Sequence, residues 1–201
     1  MELTFEIKDV TDIKVRIPTL SEFLYITDKL VSAYGGGKSS SDFMDDGEAE
    51  IVNLVTYPTK RDFSELLLDY QDLAFIIWAK IKDELGADVE LNVEPKLTDE
   101  SEISTYGKRC LAISYMDGNE TKRFIFRKLG HPTFKRLSRD ISERGSLTGE
   151  SLCKIAKEAV ASGNKSEIDA LFSEKPALAL LFGKEIVNAS STAVELFIKK
   201  A

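Results

Sequence analysis

The first seventeen residues alternate apolar and polar positions. Leu3, Phe5 and Ile7 mark one run and Ile13, Val15 and Ile17 the next, on either side of a Val10-Thr11-Asp12 bend. A period of two is the signature of a half-buried strand, so the pattern predicts a β-hairpin. Pro18 ends it, since proline has no amide hydrogen for a ladder. Thr19 and Glu22 then stand at capping-box spacing ahead of a helical stripe at Leu20, Phe23, Leu24, Ile26, Leu30 and Val31. Further helices are expected at about 48–57, at about 60–69 behind a Thr59–Asp62 cap, and at 72–85 around the single tryptophan, Trp78.

The second half follows the same order. Residues 109–128 hold two alternating runs flanking Asp117-Gly118-Asn119, and Asp-Gly is a strong hairpin signal. Pro132-Thr133 follows this hairpin as Pro18-Thr19 followed the first, and helical patterns come at about 133–144, 148–161, 165–174 and 177–199. An offset of 105 carries Val55–Leu91 onto Val160–Leu196 without a gap. It matches Lys60 with Lys165, Leu66 with Leu171, Ile81 with Ile186, and Val89-Glu90-Leu91 with Val194-Glu195-Leu196. The expected fold is therefore α+β and predominantly helical, as two tandem pseudo-repeats, each a β-hairpin followed by about four helices. Unit one is 1–92, unit two is 107–201, and the Pro- and acid-bearing stretch 93–106 is the linker.

Charge separates the halves further. Residues 1–106 carry 10 Lys+Arg against 23 Asp+Glu, and residues 107–201 carry 17 against 11. Fields of opposite sign steer the halves toward each other or toward different partners. The overall net charge of −7 and the 43% hydrophobic content fit a globular chain with no apolar run long enough to span a bilayer. The acidic, alternating N-terminal stretch has none of the features of a secretory signal, so the expected compartment is cytoplasmic.

The stretch AYGGGKSSSDFMDDGE at 33–48 raises a phosphate-cradle question. A P-loop needs G-x-x-x-x-G-K-[ST] between a strand and a helix, so that amide hydrogens converge on the anion. Here Ser32 stands at the first glycine's place and follows a helix. The surplus over the second half falls here, so 33–47 reads as an inserted surface loop. Phe43 and Met44 break the oxygen spacing that a calcium loop would need among Asp42, Asp45 and Asp46. Cys110 and Cys153 lack metal or disulfide spacing, and His131 reads as a residue at a helix start. No catalytic residue, metal ligand or cofactor is assigned.

Two surfaces stand out as partner sites. Residues 122–144 carry eight basic residues against two acids, and Arg127, Lys128, Lys135 and Arg136 are the candidates for meeting an acidic protein. A pI near 5.0 argues against nucleic acid. The helices around Phe75 and Trp78, and around Leu181 and Phe182, are apolar on more than one side. Such helices belong either to the core or to a groove covered by another chain, so these four residues complete the candidate set.

The strand leading into a Pro-Thr helix start, the phrase KEAVASGNKSEIDALFSEKPALALLFGKEIV and the Lys-Lys end resemble the small helical tail assembly chaperones of bacteriophages. Ile168, Leu171, Phe172, Pro176, Leu178 and Ile186 carry the resemblance, and Phe63, Leu66, Leu67, Leu73 and Ile81 carry it again. The hairpin in each unit and the duplication depart from that family's pattern. The resemblance implies a non-catalytic protein of the host cytoplasm that binds the tape-measure protein or tail-tube subunits during tail assembly, with self-association as a further option and no membrane partner. The alternatives are a structural virion protein, such as a baseplate or tail adaptor, and a small nucleotide-binding enzyme.

Overall fold

The computed structural model describes residues 2–8, 10–35, 40–144, 147–161 and 165–191. Among these residues the fold is α+β, with nine α-helices and two three-stranded antiparallel sheets. The first sheet has the order β1-β2-β3, built from Glu2–Ile7, Thr11–Arg16 and Val55–Tyr57. Leu3 pairs with Val15 and Phe5 with Ile13, which puts one apolar face on the core and leaves Glu2, Thr4 and Glu6 exposed. The hairpin turn falls earlier than its sequence suggests. Thr11 is already laddered opposite Ile7, and the Val10 amide closes a tight turn on the Ile7 carbonyl.

Helix α1 (Leu20–Gly35) starts at the expected capping box. The Thr19 amide donates to Glu22 Oε2 at 2.9 Å, and the Glu22 amide donates to Thr19 Oγ1 at 3.3 Å. Helix α2 (Ser40–Leu54) is longer than expected, so α1 and α2 take up 33–35 and 40–47 of the stretch read as a loop; residues 36–39 lie outside the described residues. Its expected last turn is strand β3 instead. Val55 and Thr56 are β-branched, and pairing with β2 buries Val55 opposite Val15. Helix α3 (Lys60–Asp69) is capped by Thr59. Helix α4 (Leu73–Lys82) runs into a π-helical turn at Asp83–Ala87, and Gly86 reverses the chain there at φ 91°.

The 93–106 stretch, expected as a connection, is folded. It contributes to β4 (Asn92–Glu94), which pairs with β5 (Cys110–Asp117), and to α5 (Glu100–Tyr106). Asp99 caps α5 by accepting the Ser101 and Glu102 amides. β5 and β6 (Glu120–Arg127) form the second hairpin around Gly118, φ 61°, and the second sheet has the order β4-β5-β6. Then come α6 (His131–Arg144), α7 (Gly149–Ala159), an isolated bridge from Val160 to Phe126, α8 (Lys165–Glu174) and α9 (Pro176–Ser190). The part of the expected last helix beyond 191 lies outside the described residues.

One hydrophobic core runs through both halves, joining Phe23, Ile51 and Trp78 to Phe126, Phe172 and Phe182. A smaller cluster, Leu97, Cys110, Ala112 and Ile125, lies under α5. α1 packs on α2 and also on α7 and α9 of the second half. At that junction the Asp28 carboxylate accepts the Gly149 amide at the start of α7, satisfying a donor that has no partner within its own helix. α9 crosses α7 at Gly183, and a Cβ there would lie 2.3 Å from the Leu152 carbonyl oxygen. Only glycine permits so close an approach.

Candidate partner-binding surface

Of the basic candidates, Lys128 and Arg136 line one groove, whereas Arg127 and Lys135 are exposed and are not among its lining residues. β6 delivers Arg127 at its end and Lys128 just after it, with the Lys128 amide donating to the Arg109 carbonyl, so the two chain ends of the hairpin stay side by side. Gly130 then opens α6, which presents Lys135 and Arg136 on its exposed side and buries Leu137. Between α6 and α7 lies a groove of about 370 Å³ whose rim carries Lys128, Arg136 and Lys154, with Thr133 and Glu158 beside them. Leu129 and Ile155 make its apolar floor.

The electrostatics of this face are those of crowded cations. Burial, and then the like charges of Lys96 and Arg109, push the Lys128 ammonium below its usual range. Lys154 reaches Glu158 at only 4.0 Å, and both are exposed. An ammonium crowded by like charge gains most from a carboxylate or another anion brought alongside. The groove is therefore suited to an acidic, partly apolar segment.

The apolar candidates divide. Trp78, 3% exposed, stacks at a tilt on Phe23, with ring centroids 5.4 Å apart. Phe182, 0% exposed, is ringed by Tyr115, Phe124, Phe126 and Phe172 at 5.5–6.2 Å. Both belong to the core and not to a contact surface, because each fills a slot between its helix and the neighbouring elements. Phe75 and Leu181 are half-buried and pack against the same core. The exposed apolar positions in this region are ones the sequence did not single out: Leu68 at 78%, Tyr70 at 42% and Ile76 at 57%. Asp69 and Asp72 stand exposed among them, which gives the first half an acidic and greasy surface where the second half has a basic groove. Ile76 sits inside an apolar run whose buried members, Ala74, Ile77, Trp78 and Ile81, outnumber it, so periodicity alone did not separate it.

A second cavity, of about 580 Å³, opens just before β4 begins, where β5 runs on past it, between Val89, Leu91, Tyr115 and Met116. Next to it, Lys175 pairs with Asp117 at 2.7 Å and lies 5.8 Å from the centre of the Tyr115 ring. Burial, with nearby acids, pushes the Tyr115 phenol up to about 12, so it is a neutral hydroxyl at physiological pH. Arg123, also missed in the sequence, spans β4 and α5. It donates to both Glu94 oxygens at 2.7 and 3.0 Å and to Glu102 Oε2 at 3.0 Å, and it holds the Glu94 carboxyl below its usual range.

Cys110 and Cys153 are buried free thiols, both pushed up by burial. His131 is the first residue of α6 and is exposed. Among the described residues no group of three or more His, Cys, Asp or Glu is placed to hold a metal, and no helix is long and apolar enough to cross a membrane. Comparison with family models, with curated proteins and with solved structures gave no match.

Proposed function

We propose that this chain is a non-catalytic assembly factor, a tail assembly chaperone of the bacteriophage type. It works in the host cytoplasm and engages a tape-measure or tail-tube protein through surface complementarity. The observation that carries the reading is the segregation of two surfaces of opposite character. A cationic groove with an apolar floor at Lys128, Arg136 and Lys154 lies in one half, and an acidic, greasy face at Leu68, Tyr70 and Ile76 lies in the other. A chaperone of an elongated helical client must cover apolar stripes reversibly. Charged rims set the rate and choice of encounter, and the apolar floor supplies the affinity.

The same reading takes the two halves as tandem units of one plan. Its support is the order of elements. From 2 to 87 the chain forms a hairpin, two helices, a short strand at Val55 and two helices; from 110 to 190 it forms a hairpin, two helices, a bridge at Val160 and two helices. The offset of 105 carries α3 onto α8 from end to end, and carries Val55, paired with Val15, onto Val160, paired with Phe126.

The test is co-expression with the tape-measure protein and capture of the complex. The wild-type chain should retain the client at stoichiometric level, and the Lys128→Glu/Arg136→Glu double variant should retain at least tenfold less. If both proteins capture the client equally, the groove is not its site. A chaperone is also absent from finished particles, whereas a baseplate or tail adaptor would stay in them.

A further inference from the structure

The acidic, greasy surface of the first half is a corner. The chain passes from α3 into α4 by a short turn, in which the Tyr70 amide donates to the Leu66 carbonyl and the Leu73 amide to the Tyr70 carbonyl. Residues 68–72 are all exposed, and Ile76 stands one turn of α4 beyond Asp72. Leu68, at 78%, is the most exposed large apolar side chain among the described residues. The negative charge of the corner is uncompensated. Asp69 closes α3 at its carbonyl end, where the helix dipole favours a cation, yet the last turn of α3 holds no basic residue. Lys60 and Arg61, the two cations of α3, lie at its other end, engaged with Asn53 and Glu65. On the α4 side the first cation is Lys80, two turns past Asp72.

The groove between α6 and α7 is the reverse of this corner in each respect. It is concave, and Leu129 and Ile155 give it an apolar floor. The first turn of α6 lends it Gly130 and Thr133, the positive end of a helix whose first turn holds no acid. Lys128, Arg136 and Lys154 stand at its rim, and Glu158, the acid of its lining, is reached by Lys154 only at 4.0 Å. The Lys128 ammonium, crowded by Lys96 and Arg109, has the most to gain from a carboxylate.

We propose that a second copy of this chain fills the groove: the α3–α4 corner of one copy docks between α6 and α7 of another. Leu68 and Tyr70 then cover Leu129 and Ile155, Asp69 and Asp72 come to Lys128 and Arg136, and the negative end of α3 meets the positive end of α6. Leu68 is open to solvent in its own copy, so the corner does not sit in its own groove. Both surfaces belong to one chain and are therefore always present in equal amount. Because the contact joins unlike patches, two copies close by exchanging both contacts, or each added copy brings a fresh groove and a fresh corner. A copy held in this way withholds both surfaces from any client. Self-docking needs only the two surfaces, whatever the client is.

Sedimentation velocity of the full chain, without client, is the test. The average mass should rise above 22.4 kDa with protein concentration, and salt raised from about 0.05 M to about 0.5 M should weaken the association at least fivefold, because the rim charges are screened. Lys128→Glu/Arg136→Glu and Asp69→Lys/Asp72→Lys should each self-associate at least tenfold more weakly than wild type, with circular dichroism showing that both still fold. Mixed in equal amounts the two variants should bind each other, since one keeps the corner and the other the groove. A chain carrying all four changes should self-associate at least threefold more tightly than either double variant. A mass of 22.4 kDa at every concentration would overturn the proposal, and so would an association that either double variant leaves intact. A monomeric wild type that still captures the tape-measure protein would sink self-docking alone, and a self-associating one that captures none would sink the chaperone reading alone.

Discussion

Both halves cross a pair of helices at a glycine, and the two crossings are not equally forgiving. Where α2 meets α1, a Cβ on Gly47 would lie 2.6 Å from the end of the Leu30 side chain, which can rotate away. Where α9 meets α7, a Cβ on Gly183 would meet the Leu152 carbonyl oxygen at 2.3 Å and the Leu152 carbonyl carbon at 2.7 Å, and backbone inside a helix cannot step aside. The first half is held by side-chain fit, whereas the second is held by contact between main chains, with Phe182 beside Gly183 as its aromatic hub. A close approach of this kind leaves little room for repacking, so the second half should be the less tolerant of substitution.

The largest expected loss is for Phe182→Ala, about 4 kcal/mol by urea denaturation, because it removes a fully buried ring touching four others. Gly183→Ala should cost about 3 kcal/mol, even though alanine is the better helix former, since α7 and α9 must separate. Asp28→Ala strands the Gly149 amide and should cost about 1–2 kcal/mol. Gly47→Ala should change stability by less than about 1 kcal/mol, because helix propensity and the displacement of Leu30 nearly cancel. If Gly47→Ala proved as damaging as Gly183→Ala, the contrast between the two crossings would be wrong.

The smallest effect concerns pH, where two acids of α1 behave oppositely. The bidentate contact with Arg16, then the Thr19 amide and hydroxyl, pull the Glu22 carboxyl down to about 2 despite its burial cost. Its contribution is present above the ordinary glutamate value, near 4, and is lost as pH falls toward 2. Burial pushes Asp28 the other way, against the Gly149 and Glu150 amides that favour its charge. A raised value means that this carboxyl stabilises below the ordinary aspartate range and loses that contribution as pH rises through its folded-state value. Glu22→Gln should therefore lose stability relative to wild type at pH 7 and approach it at pH 3. Asp28→Asn should gain relative to wild type between pH 4 and pH 7. Thermal melts across that range read both.

Local signals in the sequence were reliable where a single segment decided the outcome. The capping box at Thr19 and Glu22, the cap at Thr59, the Gly118 hairpin and the limits of α3 and α8 all rest on neighbours within four residues. What depended on distant partners was not legible. Val55–Tyr57 continues a helical pattern on paper and becomes a strand because β2 has a free side to pair with. Residues 92–94 look like connection until β5 is beside them. The same limit explains the candidate surface. Lys128 and Arg136 were recognisable from their charge, but the groove they line is formed by α6, α7 and the segment after β6, which are brought together only by the fold. Trp78 and Phe182 had the composition of a contact site, and only the three-dimensional packing of both halves could assign them to the interior.

Strand β4 follows the first half in the chain but lies in the second half's sheet, directly after the Gly86 reversal that packs near Leu178 and Lys175. A gene cut at residue 107 would therefore hand the downstream fragment an amputated sheet and leave the upstream one trailing an orphan ribbon. Anyone dividing this polypeptide should place the scissors before Val89, so that β4 travels with the sheet it completes.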